Sequence, residues 1–301
     1  MTMKEMTLSG SAENPWLRRF DSLNRSWYKF SRNWLSILGL GMVLTIVFLA
    51  VFAPYVTPYP QHAGKFVDFK SSNQPPSLQH PMGTDTMGRD ILSRIIFAFR
   101  NALLMALGVL VISVPLGVLT GLAAGYYVGT WIDTVIMRVT DVFISVPPLI
   151  LALSIAAVLK PTLMNSMMAI TVTWWPWYTR MTYGLASSIR NEYYVQAAEL
   201  TGAGKLHILF REILPNCSSS ILTKMALDVG WVILVGAALS FVGLGEQPPK
   251  PALGTMIAEG VERMPDQWWI AVFPALAIMV IVLGFNLLGD GIRDMLSPEE
   301  A

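Results

Sequence analysis

Residues 202–205, Gly-Ala-Gly-Lys, could carry phosphate chemistry, because a glycine-rich turn that ends in lysine can cradle phosphate groups. A nucleotide-binding phosphate loop also needs a glycine five residues before its Gly-Lys pair and a serine or threonine directly after the lysine. Glu199 and Leu206 occupy those two positions. The stretch therefore lacks the pattern of a nucleotide site, and any ATP chemistry must come from another chain.

A metal site is the second possibility, because His80, Asp85 and Asp90 lie within eleven residues of one another. This group has no second histidine and no pair of ligands at helical spacing. We therefore interpret the three residues as structural. An enzyme within the membrane would need a cluster of titratable side chains at membrane depth. The three histidines of the chain, His62, His80 and His207, all lie in predicted loops, which disfavours that class.

Lys224 and Asp228 form the third candidate, because they stand one helical turn apart in an otherwise apolar stretch. A charge inside a membrane span is costly and commonly functional. At this spacing the two side chains can neutralise each other. We expect an ion pair near the membrane edge and include Asp228 among the candidate residues of a translocation path.

The composition predicts a membrane protein. Hydrophobic residues make up 53% of the 301 residues and charged residues 14%, whereas soluble domains average about 45–50% and about 25%. The net charge of +1 argues against a nucleic-acid partner. Cys217 is the single cysteine, so the chain has neither an internal disulfide nor a cysteine metal cluster.

Six apolar stretches have about the 20 residues that a transmembrane helix needs. They are Leu35–Ala53, Leu103–Tyr127, Thr134–Leu159, Leu163–Tyr183, Ile221–Leu244 and Trp268–Leu288. Pro147 and Pro148 should kink or unwind the third stretch, which a bilayer tolerates only where protein or water covers the freed carbonyl groups. The fourth contains Trp174 and Trp177, which either form an interfacial belt or line a path through the membrane.

The spans divide the chain into five parts. Residues 1–33 form a tail whose Trp16, Phe20, Leu23, Trp27 and Phe30 share one helical face, as in a helix lying in a membrane interface. A first span at 34–54 and a loop at 55–101 precede a five-helix core at 102–290, which contains a polar loop at 184–217. Residues 291–301 form a second tail. Six spans place both tails and the 184–217 loop on one side, which carries thirteen of the 21 lysine and arginine residues. This excess predicts that side to be cytoplasmic.

The stretch Asn191–Pro215 organises the polar loop as helix, glycine turn and helix. Asn191 can cap the first helix, and Ala197 and Ala198 give it a face that another surface could approach closely. Gly202 can end that helix. Pro215 closes the second helix and can begin the next one.

This stretch resembles the cytoplasmic docking loop of ABC-importer permeases, whose consensus is Glu-Ala-Ala, three residues, Gly, nine residues, Ile-x-Leu-Pro. Ala197, Ala198, Gly202, Leu214 and Pro215 match that frame. Two positions depart from it, because Gln196 replaces the glutamate and Glu212 stands where isoleucine is expected. The resemblance implies contact with an ATPase through a set of loop residues. These are Tyr194, Gln196, Ala197, Ala198, Glu199, Gly202, Ala203, Leu206 and Pro215.

Three further motifs, in the right order, resemble the second permease subunit of peptide/nickel-type importers. The first spans residues 80–90 and contributes His80, Gly83, Thr84, Asp85, Gly88, Arg89 and Asp90 as an extracytoplasmic signature loop. The other two are residues 240–249, Ser-Phe-Val-Gly-Leu-Gly-Glu-Gln-Pro-Pro, and residues 286–294, Asn-Leu-Leu-Gly-Asp-Gly-Ile-Arg-Asp. Together with the docking loop, the resemblance covers about residues 30–298.

The resemblance implies an all-α integral membrane protein with six transmembrane helices, the type I ABC importer permease fold and an N-terminal interfacial helix. It also implies a bacterial inner-membrane location with cytoplasmic termini. The expected partners are a homologous second permease, two cytoplasmic ATPases that use ATP-Mg, an extracytoplasmic binding protein and the lipid bilayer. No cofactor bound by this chain is implied. The candidate translocation path contains Pro147, Pro148, Trp174, Trp177 and Asp228.

Peptides are the expected cargo, with nickel or a metal chelate, glutathione, an opine or an oligosaccharide as alternatives. A secondary transporter is a rival from another class. It would need more coupling charges inside its spans and usually inverted repeats. Neither is visible in the sequence.

Overall fold

The computed structural model describes residues 27–296. Ten helices account for most of this range. They are α1 (Trp34–Val51), α2 (Ala53–Val56), α3 (Ile91–Tyr126), α4 (Trp131–Ile144), α5 (Pro148–Val158), α6 (Leu163–Ile189), α7 (Tyr193–Leu200), α8 (Lys205–Phe241), α9 (Leu253–Val261) and α10 (Trp269–Leu296). Two short 3₁₀ turns, Pro60–Ala63 and Phe69–Ser71, lie between α2 and α3. Within 27–296 the only β-type pairing is an isolated bridge between Thr84 and Asp90.

Four helices, α1, α3, α8 and α10, are long and apolar enough to cross a membrane. The pair formed by α4 and α5 gives a fifth span if the two halves count as one. The helix α6 has 27 residues, which is long enough to cross, but it is too polar to meet the same standard. Its sequence includes Asn165, Arg180 and four threonines. Of these threonines, Thr171, Thr173 and Thr179 donate to carbonyls of their own helix. The all-α class is confirmed, and the count of six spans stays a prediction.

The break between α4 and α5 confirms that the paired prolines interrupt the third span. The two halves meet at an angle of 86°. Pro147 precedes α5 and Pro148 is its first residue, where a missing N–H costs no hydrogen bond. An ion pair between Arg180 of α6 and Asp141 of α4 joins the first half to the helix beside it. Ser145 and Pro147 at the break itself are exposed, so this ion pair fixes α4 against α6 without burying the break.

The contact between α3 and α6 is the most extensive in the fold. Glycines spaced four residues apart along one face of α3 make this close contact possible. A Cβ added at Gly117 would lie 2.5 Å from Cβ of Tyr178, and one at Gly121 would lie 2.6 Å from the carbonyl oxygen of Thr179. These distances leave no room for a side chain, so the backbones approach as closely as two helices can.

The helix α10 occupies the centre of the other half, where it packs against α1, α8 and α9. Side chains of Ile281 and Phe285 from α10 and Ile233 from α8 are buried in the same core as Ile46 of α1. The C-terminal end of α10 reaches the start of the described chain, because Gly291 lies against Ser36 and Phe30. This places the 286–294 motif beside the entry to the first span.

Several predicted boundaries differ from the structure. Residues 91–101, assigned to the extracytoplasmic loop, are the first three turns of α3. The fifth span begins at Lys205 rather than Ile221, and the sixth continues to Leu296. Of the predicted amphipathic tail, residues 27–32 are helical. The positions of Trp16, Phe20 and Leu23 lie outside the described residues.

Candidate functional site

The predicted docking helix exists as α7, with one buried anchor and an exposed outer face. Val195 is fully buried and holds the helix against the protein. Tyr193 and Leu200 are 88% and 89% exposed, and Gln196, Ala197 and Glu199 are exposed as well. Ala198 is half-buried, so only one of the two alanines is open to an approaching surface. Of the predicted alanine face only Ala197 is therefore fully exposed, and its contact with another protein stays a prediction.

The start of α7 differs from the expectation. Glu192, not Asn191, is the N-cap residue, and no side chain caps the helix. The side chain of Asn191 donates to the carbonyl of Ser187 instead, at 3.1 Å. Its own carbonyl accepts a hydrogen bond from Nε2 of Gln196, at 3.0 Å. Asn191 therefore ends α6 rather than starting α7.

The end of α7 has the geometry that the glycine predicted. Gly202 has a φ of +83°, in the left-handed region that favours glycine. Its N–H donates to the carbonyl of Glu199, and the N–H of Ala203 donates to the carbonyl of Ala198, both at 3.0 Å. This pair of bonds is a Schellman motif, which satisfies two carbonyls at the helix end. Gly202 thus turns the chain away from the outer face of α7.

Exposed apolar side chains extend the outer face onto the start of α8. We call the following residues the docking surface: Tyr193, Tyr194, Leu200, Leu206 and Phe210. Leu206 is 71% exposed, whereas Ile208 and Ile213 on the opposite face of the same turns are buried. Contiguous exposed apolar side chains beside a polar loop are typical of a contact with another protein.

Pro215 lies in the first turn of the α-helical segment Leu214–Phe241, as predicted for a proline that can begin a helix, but it does not end the helix before it. The helix continues from Lys205 to Phe241, and Pro215 lies two residues after a π-helical stretch, Ile208–Ile213. A proline inside a helix lacks an N–H and displaces the preceding turn, and a π stretch is one way to absorb both effects. The docking surface is consequently continuous with a membrane-spanning helix.

A tie between the docking helix and α3 was not predicted from the sequence. The hydroxyl group of Tyr126, at the last residue of α3, donates to Oε1 of Glu199 at 3.2 Å. The guanidinium group of Arg190 lies 5.3 Å from the Tyr126 ring centre, and the ammonium group of Lys205 lies 5.3 Å from that of Tyr127. Glu199 of α7, Arg190 just before α7 and Lys205 just after it therefore all contact the C-terminal end of α3.

The signature loop folds around the N-terminus of α3. Asp90 is the N-cap residue, and its Oδ2 accepts from the N–H of Ser93 at 2.8 Å. Its Oδ1 pairs with Nδ1 of His80 at 2.9 Å. The N–H of Asp90 donates to Nδ1 of His62, also at 2.9 Å. His80 and Asp90 thus bind each other, and His62 completes the turn from a position that the sequence left unassigned.

His62 is held as a neutral base. Its ring stacks on Phe66 with 4.0 Å between ring centres and lies 4.9 Å from Tyr59. Burial lowers the pKa of His62 below its ordinary value, and His80 and Arg89 act in the same direction while Asp90 opposes them. A neutral ring is also what the hydrogen bond from the Asp90 N–H requires, because Nδ1 must offer a lone pair.

Asp85 is the centre of a buried charge cluster. Its Oδ1 accepts from the N–H groups of Met87 and Arg89, both at 2.9 Å. Its Oδ2 accepts from Nε of Arg89 at 2.7 Å and lies 3.4 Å from Nε of Arg94. Asp90 stands one helical turn before Arg94 in the sequence, but Arg94 lies against Asp85 instead. Asp90 is unsuited because the N-cap and His80 already occupy both of its oxygens.

The cluster reaches α9 on the other side of the loop. The Arg89 guanidinium lies 3.8 Å from Oε2 of Glu259. Burial raises the pKa of Glu259, and the two arginines, Arg94 and Arg89, pull in the opposite direction. Nε1 of Trp269, the first residue of α10, donates to the carbonyl of Thr84 at 3.4 Å. The signature loop is therefore a structural hub that joins α3, α9 and α10.

The metal hypothesis finds no site in this loop. Among residues 27–296 no three histidine, cysteine, aspartate or glutamate side chains form a group suited to a metal ion. Gly83 and Gly88 of the signature have positive φ values of 75° and 76°. These turns bring Asp85 back toward Arg89 and Arg94 and leave the acids facing protein donors.

The intramembrane pair forms as predicted, with an additional partner. Nζ of Lys224 lies 3.1 Å from both carboxylate oxygens of Asp228. Asp228 is buried, and its Oδ2 also accepts from Nε1 of Trp174 at 3.0 Å. The Lys224 ammonium lies 5.1 Å from the ring centre of Tyr178. Two helices, α6 and α8, are thus bridged by one carboxylate inside the membrane region.

A polar cavity of about 550 Å³ lies beside this pair, between α8 and α10. It is lined by Ser219, Ser220, Thr223, Lys224, Leu227, Asp228, Trp231, Arg293 and Leu296. Of the candidate path residues, Asp228 lines the cavity, and Trp174 donates a hydrogen bond to Asp228. Pro147, Pro148 and Trp177 do not line it, and Trp177 faces outward. A belt role for Trp174 is wrong, because its indole points into the protein.

These features define a helical membrane protein with a broken span, an intramembrane charge pair and an exposed docking helix. Residues 113–300 match the family described as binding-protein-dependent transport system inner membrane component. Residues 23–76 match the N-terminal transmembrane domain of oligopeptide transport permease C. The chain belongs to the binding-protein-dependent transport permease family.

Curated relatives cover nearly the whole chain. A di/tripeptide transport system permease protein of Pseudomonas aeruginosa is 40% identical over 294 residues, 96% of each chain. A probable D,D-dipeptide transport system permease protein of Escherichia coli is 37% identical over 88% of each chain. A glutathione transport system permease protein of Pectobacterium atrosepticum is 37% identical over 96% of this chain and 93% of its own length.

Proposed function

We propose that this chain is the transmembrane permease subunit of an ATP-driven importer for di- and oligopeptides, delivered by an extracytoplasmic binding protein. The observation that carries the proposal is the docking surface. It is an exposed apolar patch on α7 and the start of α8, in a chain whose sequence has no phosphate loop. Such a surface receives a mechanical input from a partner that hydrolyses ATP. The chain itself would perform no catalysis.

The proposed assembly contains four further kinds of partner around this chain. Two cytoplasmic ATPases use ATP-Mg, and one of them would bind the docking surface. A homologous second permease completes the channel, and a binding protein supplies the cargo on the opposite face. The bilayer surrounds the spans. Family membership supports the ATPase and the binding protein, and the heterodimer follows from the resemblance to the second permease subunit.

The orientation follows from the docking surface. If α7 meets an ATPase, it lies in the cytoplasm, and the signature loop at residues 80–90 lies on the extracytoplasmic side. With six spans, both termini are cytoplasmic. The basic excess on that side supports the same orientation. The bent α4–α5 pair and α6 would then supply the third and fourth spans.

Peptides are the proposed cargo because relatives named for di/tripeptides and D,D-dipeptides match the chain over most of its length. The relative named for glutathione makes a modified tripeptide a second candidate. Both are zwitterions with an amide backbone. Nickel chelates, opines and oligosaccharides remain alternatives that the resemblance allows and that no named relative supports.

The test is uptake by proteoliposomes that contain the complete transporter with its binding protein. Radiolabelled dialanine should accumulate only when ATP is enclosed on the docking side, and unlabelled glutathione should compete if the second candidate is correct. A complex that hydrolyses ATP in response to loaded binding protein but imports neither compound would leave the transporter proposal intact and exclude these cargoes. Uptake without any ATPase subunit would overturn it.

A further inference from the structure

Arg100 is an exposed guanidinium group on α3 that has no acidic partner. No hydrogen bond or ion pair of its side chain occurs within residues 27–296. The neighbouring sequence offers none, because α1 contains no charged residue and α3 contains none after Arg100. A cation at this position therefore lacks a counter-charge from the described protein.

Arg100 lies at one boundary of the membrane. It lines a cavity of about 260 Å³ together with Ala50 and Val51, the last two residues of α1. The 18 residues of α1 span about 27 Å at the usual helical rise, close to the ~30 Å thickness of a bilayer's apolar core. The end of α1, and Arg100 beside it, therefore lie at the level where lipid headgroups begin.

An apolar groove leads from Arg100 toward the middle of the membrane. We call it the α1–α3 groove. Leu103 and Leu107 line both the Arg100 cavity and a second cavity of about 710 Å³. The second cavity continues along α3 to Val114 and Pro115, with Val47 of α1, Met225 and Val229 of α8 and Phe285 of α10 as its other walls. Leu107 and Val111 are each 61% exposed, so the groove opens toward lipid.

The length of the groove matches one lipid leaflet. From Arg100 to Val114 the helix rises about 21 Å. Half of a bilayer, measured from its headgroups to its midplane, is about 20–22 Å thick. A transmembrane helix of another protein would instead contact the full apolar thickness of ~30 Å. It would also have to cover the unpaired guanidinium, which is costly without a carboxylate.

We propose that the α1–α3 groove is a binding site for one phospholipid, whose phosphate pairs with Arg100 and whose acyl chain lies along Leu103, Leu107 and Val111. The headgroup phosphate supplies the missing counter-charge, and guanidinium binds phosphate through two parallel hydrogen bonds. The flexible, polarizable side chain of Met225 suits an acyl chain of variable shape. The site is independent of the cargo and of the orientation proposed above.

The experiment uses the complete transporter in phosphatidylethanolamine vesicles that contain a trace of phosphatidylglycerol with a photoreactive diazirine in its acyl chain. After illumination and proteolysis, the label should concentrate on the α3 peptide around Leu103–Val111. Arg100→Gln should reduce that labelling several-fold, and Leu107→Trp, which fills the groove, should do the same. Two matched controls, Arg263→Gln in an exposed loop and Leu119→Trp on the lipid-facing side of α3 outside the groove, should leave it unchanged.

Equal labelling in wild type and Arg100→Gln would overturn the proposal, as would label spread evenly over all lipid-facing helices. A second measurement tests a protein occupant. Leu107→Cys in a Cys217→Ser background should be alkylated by a membrane-soluble maleimide in the assembled transporter. A disulfide between that cysteine and a cysteine of the second permease would show that the groove is a protein interface and would equally overturn it.

Discussion

At the scale of single residues, the carboxylate of Asp228 makes two different interactions. It neutralises Lys224, and it accepts the indole hydrogen bond of Trp174 from a neighbouring helix. A buried charge that loses its partner typically costs about 3–5 kcal/mol. A lost hydrogen bond to a charged group costs less, about 1.5–3 kcal/mol. A substitution that removes only the ion pair should therefore lower the free energy of unfolding more than one that removes only the Trp174 hydrogen bond.

We expect Asp228→Asn to destabilise the permease strongly, because Lys224 is then left charged in an apolar environment. The double variant Lys224→Met with Asp228→Asn should recover most of the loss, since the amide oxygen can still accept from Trp174. The measurement is the thermal stability of the purified transporter in detergent. If the double variant is no more stable than the single one, the charge pair is not what makes Asp228 necessary.

His62 should give the protein a pH dependence that follows from its lowered pKa. Below pH 6.5 the unfolded chain binds a proton at His62, whereas the folded chain does not until the pH reaches its lower folded pKa. The contribution of neutral His62 to the free energy of unfolding is therefore fully present above pH 6.5 and is lost as the pH falls toward the folded pKa. The melting temperature of the wild-type transporter should decline over that range. His62→Asn should make the decline shallower while lowering stability at every pH.

His207→Asn is the control for the pH experiment, because His207 lies at the other end of the molecule on an exposed helix start. Its substitution should leave the slope of melting temperature against pH unchanged. An identical slope in wild type and His62→Asn would show that other groups control the acid response of the signature loop.

At the scale of elements, α7 is a short helix that depends on its ends. Its eight residues are too few to be stable alone, and its position is fixed by Val195, by the Schellman motif at Gly202 and by the Tyr126 hydrogen bond. Each of these holds the helix in a different way. Variants at each therefore report different aspects of coupling.

Ala198→Arg and Gly202→Val should leave the permease inserted but abolish transport and the stimulation of ATP hydrolysis by loaded binding protein. A long side chain at the half-buried Ala198 forces overpacking, which typically costs about 1–3 kcal/mol. Valine at a φ of +83° strains the turn that directs the chain out of the contact. The assay is ATPase activity of the reconstituted complex.

Gln196→Glu is the matched control, because it restores the usual family residue at an exposed position and loses only one exposed hydrogen bond to Asn191. Its activity should remain near that of wild type. Full stimulation in both damaged variants would mean that α7 is a connector with no part in coupling.

Tyr126→Phe should reveal whether the tie from α3 to α7 transmits force. The change removes one hydroxyl and its bond to Glu199 while keeping the ring beneath Arg190. We expect unchanged assembly and basal ATP hydrolysis, with a several-fold drop in cargo imported per ATP hydrolysed. Glu199→Gln keeps an acceptor for the tyrosine and should retain most of the coupling. Equal transport efficiency in Tyr126→Phe and wild type would show that the Tyr126–Glu199 hydrogen bond has no part in coupling.

At the scale of the whole molecule, the number of spans decides where the termini lie. Four helices and the bent α4–α5 pair account for five candidate spans, and the predicted sixth is α6, whose Thr171, Thr173 and Thr179 are buried against protein. Helices of this kind are stable in a bilayer when neighbours satisfy their polar groups. An even count then puts both termini on the docking side.

Cysteines introduced singly in a Cys217→Ser background should map this topology. Leu78→Cys, at a fully exposed position in the signature-loop region, should react with an impermeant maleimide in intact cells. Ser188→Cys near the docking helix, Ser9→Cys and Ser297→Cys should react only after the membrane is opened. Labelling of the two termini from opposite sides would mean five spans, and labelling of Ser188→Cys in intact cells would reverse the orientation.

The sequence determined the class of the protein, because a chain with 53% hydrophobic and 14% charged residues has too few charged side chains to cover a soluble core. It also determined local features that depend on neighbouring residues alone: the proline break, the glycine stop at Gly202, the close packing of the α3 glycines and the Lys224–Asp228 pair one turn apart. Each of these follows from backbone geometry or from spacing along one helix. Pro215 begins the segment Leu214–Phe241 as predicted, but the π stretch before it keeps the two segments in one continuous helix, which the sequence rule did not indicate.

Tertiary structure alone decided which polar groups meet across the fold. Arg94 pairs with Asp85 because Asp90 is already used by His80 and by the N-terminus of α3, and that competition is invisible in a spacing rule. Trp174 reaches Asp228 across 54 positions of sequence, and Tyr126 reaches Glu199 across 73. The physical reason is that a hydrogen bond has a reach of about 3 Å, so its partner is fixed by how helices pack and not by the order of residues along the chain.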